Sequence, residues 1–294
     1  MAEGRIIKAL SGFYYVQSDD TIFSCKGRGV FRKRKVSPLV GDFVSFQVTD
    51  ELEGYITEIK PRDNALKRPP IANINQAVIV SSAKMPDFSP LLLDRFLVLV
   101  ESKQIDPIIF ITKMDLLTES EQATIEAFAS DYADIGYDVE CLTSKTGHDL
   151  TYLEEYFNDK VTVIAGQSGV GKSSILNGLD PSLLIETDDI SMRLGRGKHT
   201  TRYVELVEIG NGLVADTPGF SALDFSHIEL ETLADCFPEI RTRQGDCRFR
   251  GCMHIQEPHC AVKDAVEQNK IKSYRYKNYV SFYNEIKSRK PRYS

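Results

Sequence analysis

The sequence predicts three modules: an N-terminal β-barrel of the OB-fold type, a central α/β domain with a parallel sheet, and a C-terminal helical module. Three patterns carry this prediction. Short runs of alternating apolar and polar residues come first, apolar strands then alternate with helical stretches, and a cysteine cluster interrupts the helical pattern near the end. We expect the domain boundaries at 1–68, 69–225 and 226–294.

The barrel prediction depends on short strands with glycine or aspartate at the bends. Representative runs are Gly12–Val16, Asp42–Val48 and Gly54–Ile59. Five or so strands in this length suit an OB-fold. A segment with three prolines, Pro61–Pro70, follows and predicts a boundary.

The α/β prediction depends on continuous apolar strands joined by helices, which is typical of a parallel sheet covered on both faces. The predicted strands are Gln76–Ser81, Pro107–Ile111, Val139–Leu142 and Val161–Ala165, and the predicted helices are Ser89–Ser102 and Glu119–Ala133. Two further strands, Leu206–Ile209 and Leu213–Asp216, flank a Gly-Asn-Gly turn and predict a hairpin.

Composition excludes several classes of protein. Hydrophobic residues make up 42% of the chain and charged residues 27%, as in a globular protein, and no stretch is apolar enough to span a bilayer. The N-terminus does not resemble a signal peptide, and six scattered cysteines do not suit a disulfide scaffold, so we expect a cytoplasmic protein. The net charge of -6 divides into +3 for 1–70, -17 for 71–240 and +8 for 241–294.

A phosphate-binding loop follows the strand Val161–Ala165. Positions 166–173 fit G-x-x-x-x-G-K-[ST], and a helix-forming stretch comes next. Backbone N–H groups of such a loop surround a phosphate, the lysine reaches the β- and γ-phosphates, and the hydroxyl binds Mg²⁺. The expected nucleotide ligands here are Gly166, Gln167, Ser168, Gly169, Val170, Gly171, Lys172, Ser173 and Ser174, with Ser173 also a magnesium ligand.

Two other segments favour guanine over adenine. Thr112, Lys113 and Asp115 resemble the N/T-K-x-D motif of GTPases, in which the carboxylate accepts hydrogen bonds that only guanine can donate. Threonine replaces the commoner asparagine at the first position, which should weaken the bracing of the loop slightly. Thr143, Ser144 and Lys145 follow another strand and resemble the S-A-K motif.

A γ-phosphate-sensing motif, D-x-x-G, is expected at Asp216 and Gly219. A glycine-rich basic loop at 195–202 precedes it and contains the switch threonine, for which Thr201 is preferred and Thr200 stays open. The motif order is a rotation of the usual one, because the guanine motif comes before the phosphate loop. Such rotation is feasible where domain termini lie close together.

The catalytic group has to lie elsewhere than directly after the D-x-x-G motif, because Phe220 follows Gly219 where many GTPases have a water-orienting glutamine, and phenylalanine cannot form a hydrogen bond with water. His199 in the glycine-rich loop is the best replacement, since imidazole can position a water. From the residues alone, a merely polar role for His199 is an equally good interpretation.

The cysteine cluster has the spacing Cys247-x₄-Cys252-x-His254-x₅-Cys260. Three thiolates and one imidazole form a closed tetrahedral set that suits a structural zinc ion. His254 is preferred as the fourth ligand, because His259 adjoins Cys260, which is already committed to the metal, and His259 stays open as the alternative.

Two basic segments predict contact with RNA. The first comprises Lys26, Arg28, Arg32, Lys33, Arg34 and Lys35, and the second comprises Arg241, Arg243, Arg248, Arg250, Lys270, Lys272, Arg275 and Lys277. Tyr276, Tyr279, Tyr283 and Ile286 recur at helical spacing and are expected in the core.

These motifs in this order resemble the ribosome small subunit-dependent GTPase A family over nearly the whole chain. The resemblance implies an OB-fold, a circularly permuted GTPase domain and a helical zinc-binding domain. It also implies GTP and GDP as ligands with Mg²⁺, one structural Zn²⁺, a catalytic role for His199, and action late in maturation of the 30S subunit through contact with 16S rRNA. Hydrolysis should be stimulated by that subunit, and we expect a monomer without membrane contact.

Two other hypotheses remain. The chain could be an RNA-binding assembly scaffold in which GTP is mainly structural, or a P-loop ATPase or kinase. Asp115 argues against the ATP-binding alternatives, because adenine lacks the donors that a carboxylate at this position accepts.

Overall fold

The computed structural model describes residues 1–27, 29, 31, 36–67, 69–143, 150–181, 204–216 and 223–289. The chain divides into two compact units. The first contains Met1–Val78 and Thr146–Ser221, and the second contains Ile79–Lys145 and Ala222–Ser294. The described strands are β1 Ala2–Leu10, β2 Phe13–Ser18, β3 Thr21–Gly27, β4 Phe43–Asp50, β5 Glu53–Ile59, β6 Ala65–Lys67, β7 Pro70–Ala72, β8 Gln76–Ser82, β9 Asp106–Thr112, β10 Asp138–Cys141, β11 Val161–Ala165, β12 Val204–Ile209 and β13 Gly212–Asp216.

The described helices are α1 Pro90–Glu101, α2 Glu119–Ile135, α3 Lys172–Leu179, α4 Pro238–Arg241, α5 Ala261–Glu267 and α6 Ser273–Lys287. Short 3₁₀ turns lie between them. None of these helices has both the length and the hydrophobicity that crossing a bilayer would need.

The first unit contains the predicted closed barrel. Its strands run in the order β1-β2-β3-β5-β4, and β4 pairs back onto β1 from Ala2↔Phe46 to Arg5↔Phe43, which closes the sheet. Inward-facing residues fill the interior, with Ile6, Val16 and Phe46 fully buried. The OB-fold prediction is confirmed, because the five strands close on themselves and bury the inward-facing apolar residues of each strand.

Strand β1 also belongs to a second set of strands in the same unit. Its pairing register shifts between Ile6 and Lys8, and beyond that shift the strand pairs antiparallel with β12 through Lys8↔Glu205. The Lys8 Nζ lies 2.9 Å from a Glu205 carboxylate oxygen. Register shifts of this kind change the direction of a strand, so β1 can pair with the barrel strands along one part and with β12 along the other.

The hairpin of β12 and β13 lies next to β11. Strands β11 and β13 run parallel, β12 and β13 run antiparallel, and Gly210 occupies the left-handed region at φ 55° in the two-residue turn. Gly212 is required by a close approach, since an added Cβ would lie 1.8 Å from the Phe157 carbonyl oxygen. The predicted hairpin is confirmed.

The second unit places β8, β9 and β10 side by side, with β9 and β10 parallel. Helix α1 begins at Pro90 after the Ser89 cap, whose hydroxyl accepts from the Leu92 N–H, and α2 begins with a capping box between Thr118 and Glu121. Both helices agree with the predicted spans. The C-terminal part is helical as expected, and its core includes Phe225, Leu233, Phe237, Val262, Tyr279, Phe282, Tyr283 and Ile286.

A buried cation lies at the centre of the second unit. Arg275 on α6 is 1% exposed, and its guanidinium group donates to both carboxylate oxygens of Glu239 at 2.7 and 3.1 Å and to Asp94 of α1. Asp94 also accepts hydrogen bonds from Tyr132 at 2.7 Å and from Asn278 at 2.6 Å. Burial raises the pKa of Asp94, although the Arg275 cation and the two neutral donors oppose that rise.

The expectation that Arg275 contacts phosphate is therefore wrong. Arg275 lies four residues before Tyr279, so it shares the helical face whose spacing identified the tyrosines as core residues. The position of Arg275 on the buried face of the helix therefore predicts its environment better than its residue type does. Burial of the cation is possible because two carboxylates from other elements neutralise it inside the core.

Replacing Arg275 by alanine should destabilise the second unit. The change leaves Asp94 and Glu239 buried without their cation, which typically costs about 3–5 kcal/mol. Urea unfolding followed by circular dichroism measures the effect, and Lys277→Ala on the exposed face of the same helix is the control, expected within about 0.5 kcal/mol of the wild type.

The destabilisation should depend on pH. Without Arg275, the pKa of Asp94 in the folded state lies further above its value in the unfolded chain, so protonation of Asp94 stabilises the folded variant. The loss in free energy of unfolding relative to the wild type should therefore become smaller as the pH falls below neutral. A loss in free energy of unfolding that became larger at acidic pH would contradict the buried-pair interpretation.

Candidate functional site

The phosphate loop joins β11 to α3 in the first unit. Its three glycines, Gly166, Gly169 and Gly171, have φ values of 147°, 77° and 99°, and Gly171 is the N-cap of α3. Residues with a Cβ avoid this region, so the glycines allow the backbone to curl in front of the helix N-terminus. Curled backbone at a helix N-terminus is a site for phosphate groups.

Lys172 and Ser173 begin helix α3. The Lys172 ammonium group donates to the carbonyl oxygens of Gly166 at 3.0 Å and Gln167 at 2.5 Å, which keeps it folded over the loop. Burial lowers the pKa of Lys172. Ser173 is buried at the loop, whereas Ser174 is exposed.

The K-x-D segment lies in the second unit at the end of β9. Thr112 is buried, and its hydroxyl donates to the Ser81 carbonyl oxygen at 3.3 Å. The Thr112 carbonyl accepts from Ala83 N–H at 2.9 Å, and Met114 N–H donates to Leu142 at 3.1 Å. The loop is therefore braced to strands on both sides, and threonine supplies a brace of its own where asparagine is commoner.

The side chains of the K-x-D segment have distinct environments. Lys113 has a positive φ of 61°, and its ammonium group donates to the Met85 carbonyl oxygen. Asp115 is half-buried one residue beyond the buried Met114. Thr143 is exposed just after β10.

Several predicted site residues lie outside the described residues: Ser144, Lys145, His199, Thr200, Thr201, Gly219 and Phe220, together with Arg28, Arg32, Lys33, Arg34 and Lys35. Asp216 is the last residue of β13, opposite Glu205 in the ladder. Their roles stay predictions.

The cysteine cluster lies in the second unit. The ligand atoms of Cys247, Cys252, His254 and Cys260 all lie within 4.8 Å of one another. His254 is fully buried within the cluster, whereas His259 is exposed. His254, which the sequence favours over His259, is the histidine that the fold brings to the thiols.

The separations fit a tetrahedral ion. The His254 Nδ1 lies 3.6 Å from the Cys247 sulfur and 3.4 Å from the Cys260 sulfur, and the two sulfurs are 3.9 Å apart. Metal–sulfur bonds of about 2.3 Å and metal–nitrogen bonds of about 2.0 Å at tetrahedral angles give separations of about 3.5 Å and about 3.8 Å. The four side chains are therefore already spaced to hold a divalent metal ion.

Hydrogen bonds brace the loop that carries the cluster. The hydroxyl groups of Tyr276 and Tyr279 donate to the carbonyl oxygens of His254 at 2.6 Å and Met253 at 2.8 Å. The Glu257 carboxylate accepts from the backbone N–H groups of Met253, Ile255 and Gln256, each at 3.0 Å. Although burial acts to raise it, these donors lower the pKa of Glu257.

The sequence analysis did not predict the role of Glu257 in holding the ligand loop. Its position, an acidic residue between His254 and Cys260, is a signal from which this role could have been predicted. Ligand loops need such partners to fix their backbone. The tyrosines were correctly expected in the core, but their hydroxyl contacts depend on the position of helix α6 and had no sequence signal.

Lys26 is the described member of the first basic segment. It is exposed on β3, between Phe13 on β2 and Tyr55 on β5 in the strand register. Its ammonium group lies 5.0 Å from the centroid of the Phe13 ring. Both aromatic side chains are substantially exposed, so the barrel surface presents a cation between two rings.

A phosphate loop, a K-x-D loop at the end of a parallel strand, and the order of these motifs along the chain define a P-loop GTP-binding protein of the circularly permuted class. The sequence profile of the RsgA GTPase family matches residues 59–226, and that of the RsgA N-terminal domain matches residues 3–56. The chain belongs to the RsgA GTPase family, and it is a GTP-hydrolysing enzyme.

Relatives match along the whole chain. The small ribosomal subunit biogenesis GTPase RsgA 2 of Oceanobacillus iheyensis is 64% identical over 293 residues, covering 100% of both chains. The crystal structure of YloQ, a circularly permuted GTPase, superposes with a TM-score of 0.86 at 53% identity and covers 100% of this chain and 97% of that one. YjeQ from Thermotoga maritima gives 0.87 at 34% identity, with 98% and 99% coverage.

Cys252→Ser should remove a metal ion from the purified protein. The wild type should carry about one tightly held divalent ion per chain, and the variant much less, because structural thiolate sites need all four ligands. Inductively coupled plasma mass spectrometry after gel filtration gives the metal content. Cys141→Ser, outside the cluster, is the control, and equal metal content in all three proteins would refute the site.

Proposed function

We propose that this chain hydrolyses GTP in the biogenesis of the small ribosomal subunit and that the subunit stimulates its hydrolysis. The observation that carries this proposal is the full-length match to small ribosomal subunit biogenesis GTPases together with the phosphate loop and the K-x-D motif. The protein would act in the cytoplasm as a monomer without membrane contact, with domains at 1–68, 69–225 and 226–294.

The nucleotide would be held through two kinds of contact. The loop from Gly166 to Ser174, with Lys172, would hold the β- and γ-phosphates. Asp115 would accept hydrogen bonds from the guanine N1–H and N2–H₂ groups, and Lys113 would lie along the base. The braces on Thr112 support this role, because they fix the backbone that presents Asp115.

Further groups would complete the nucleotide site. Thr143, Ser144 and Lys145 would contact the base, and Asp216 and Gly219 would sense the γ-phosphate. Ser173 and Thr201, or Thr200 in its place, would hold Mg²⁺, which neutralises charge on the phosphate oxygens. His199 would orient the attacking water, since Phe220 cannot form a hydrogen bond with it.

The metal of the cysteine cluster would be zinc. Three thiolates and an imidazole are the soft, closed set that zinc prefers, with no open position for a reaction. Its role is then structural, as a link that holds the loop 247–260 on helix α6.

Contact with 16S rRNA would involve the barrel. Lys26 between the exposed rings of Phe13 and Tyr55 offers a phosphate contact next to stacking surfaces. The remaining members of the first basic segment, Arg28, Arg32, Lys33, Arg34 and Lys35, would extend this contact.

Steady-state GTP hydrolysis with purified ribosomal subunits tests the proposal directly. Small subunits should raise turnover by at least about tenfold, as expected when a partner orders the catalytic loop, whereas large subunits should have no effect. Tight GTP binding without stimulation would instead favour another RNA partner.

Asp115→Asn should move nucleotide preference from GTP towards XTP. The removal of two charge-assisted hydrogen bonds should weaken GTP binding by about 100-fold or more, and the amide can pair with the xanthine carbonyl instead. Competition binding with GTP, XTP and ATP measures this preference. Wild-type protein that bound ATP as well as GTP would contradict guanine recognition.

His199→Ala separates an enzyme from a scaffold. Stimulated turnover should fall by about 10²–10⁴-fold while the affinities for GTP and for small subunits stay unchanged, because general catalysis contributes an effect of that size. A variant with undiminished turnover would remove His199 from the mechanism. Undiminished subunit maturation by an inactive variant would favour the scaffold.

A further inference from the structure

The loop between the first two metal ligands carries an exposed aromatic residue between two arginines. Phe249 is 46% exposed, and Arg248 and Arg250 on either side of it are also exposed. Other apolar residues of this region, Met253 and Ile255, pack against the core of the second unit, whereas Phe249 does not. The loop therefore turns one aromatic ring towards solvent.

No described residue offers Arg248 or Arg250 an acidic partner, as is also the case for Arg243 nearby. In the second unit, Arg95, Arg241, Lys272 and Arg275 each form a salt bridge with a carboxylate. Within the described part of the chain, no carboxylate lies within 4 Å of the Arg248 or Arg250 guanidinium group. The Arg248 guanidinium instead lies 5.8 Å from the Phe249 ring centroid.

The ends of this loop are held in place. Cys247 and Cys252 belong to the metal-ligand cluster, the Arg248 N–H donates to the His259 carbonyl oxygen at 3.4 Å, and Gly251 turns the chain at φ 69°. A ring on a braced loop gives up little conformational freedom when it stacks on a ligand. The loop is thus prepared to bind without refolding.

We propose that Arg248, Phe249 and Arg250 form a binding site for an unpaired RNA nucleotide, with Phe249 stacking on the base and the arginines contacting the flanking phosphates. Aromatic rings and guanidinium planes are the groups on which unpaired bases stack, and cations without a carboxylate partner fit a polyanion. An acidic peptide would use the arginines but gains little from the ring. The inference rests on the proposed function and extends its contact with rRNA to a second surface.

The test uses the full-length protein with bound metal. Binding of a fluorescein-labelled single-stranded RNA is measured by anisotropy, with a duplex of the same sequence for comparison. Phe249→Ala should weaken binding of the single strand by roughly tenfold, and Phe249→Trp should restore it, because stacking contributes at this level per base. Tyr152→Ala, which removes another exposed ring at 51% exposure, is the control and should change nothing.

The arginines have a separate readout. Replacing Arg248 and Arg250 by glutamine should lower the dependence of log affinity on log salt by about 0.7 for each single-strand phosphate that the variant no longer neutralises. Circular dichroism and metal content confirm that each variant is folded. Equal RNA affinity of Phe249→Ala and the wild type would overturn the site, as would a Phe249 effect of the same size on the duplex.

Three further outcomes are informative, and the last two separate this inference from the proposed function. Polyglutamate that displaced the RNA in a Phe249-dependent manner would overturn the nucleotide site in favour of an acidic protein segment. If the wild type did not bind small subunits but bound RNA through Phe249, the proposed function would fail and the site would stand. If small subunits stimulated hydrolysis but RNA binding did not depend on Phe249, the proposed function would stand and the nucleotide site would fail.

Discussion

The second unit depends on one buried cation. Arg275 is enclosed by the core, and a charge in that position is tolerated only with carboxylates and donors around it. Asp94 from α1, Glu239 from α4 and Tyr132 from α2 meet these needs. Because each partner comes from a different helix, satisfying this one charge fixes the mutual positions of four helices.

That constraint has a consequence for the nucleotide-binding motif. Helix α1 follows β8 and precedes β9 in the chain, and the K-x-D loop follows β9 directly. Val98 and Leu99 of α1 lie in the same packed core as helix α6 and Cys260 of the cysteine cluster. In a chain whose motifs are rotated, the C-terminal helices belong to the same compact unit as the K-x-D loop.

In the first unit, one strand connects the barrel to the strands beside the phosphate loop. Strand β1 closes the barrel along its first half and pairs with β12 along its second half, and the register shift after Ile6 separates the two roles. Strand β12 continues through the hairpin into β13, which runs beside the strand that leads into the phosphate loop. The barrel and the phosphate loop consequently belong to one hydrogen-bonded framework within this unit.

The sequence by itself determined the motifs, the barrel, the order of the strands and helices and the composition of the metal cluster, because local spacing encodes all of these. Only the tertiary structure decided the burial and the interactions of side chains whose partners are distant in sequence. Arg275 turned from an expected phosphate contact into the buried centre of a core, since Asp94 lies 181 positions away. The sequence favoured His254 over His259 as the fourth ligand, and folding brings the His254 imidazole to the three thiols.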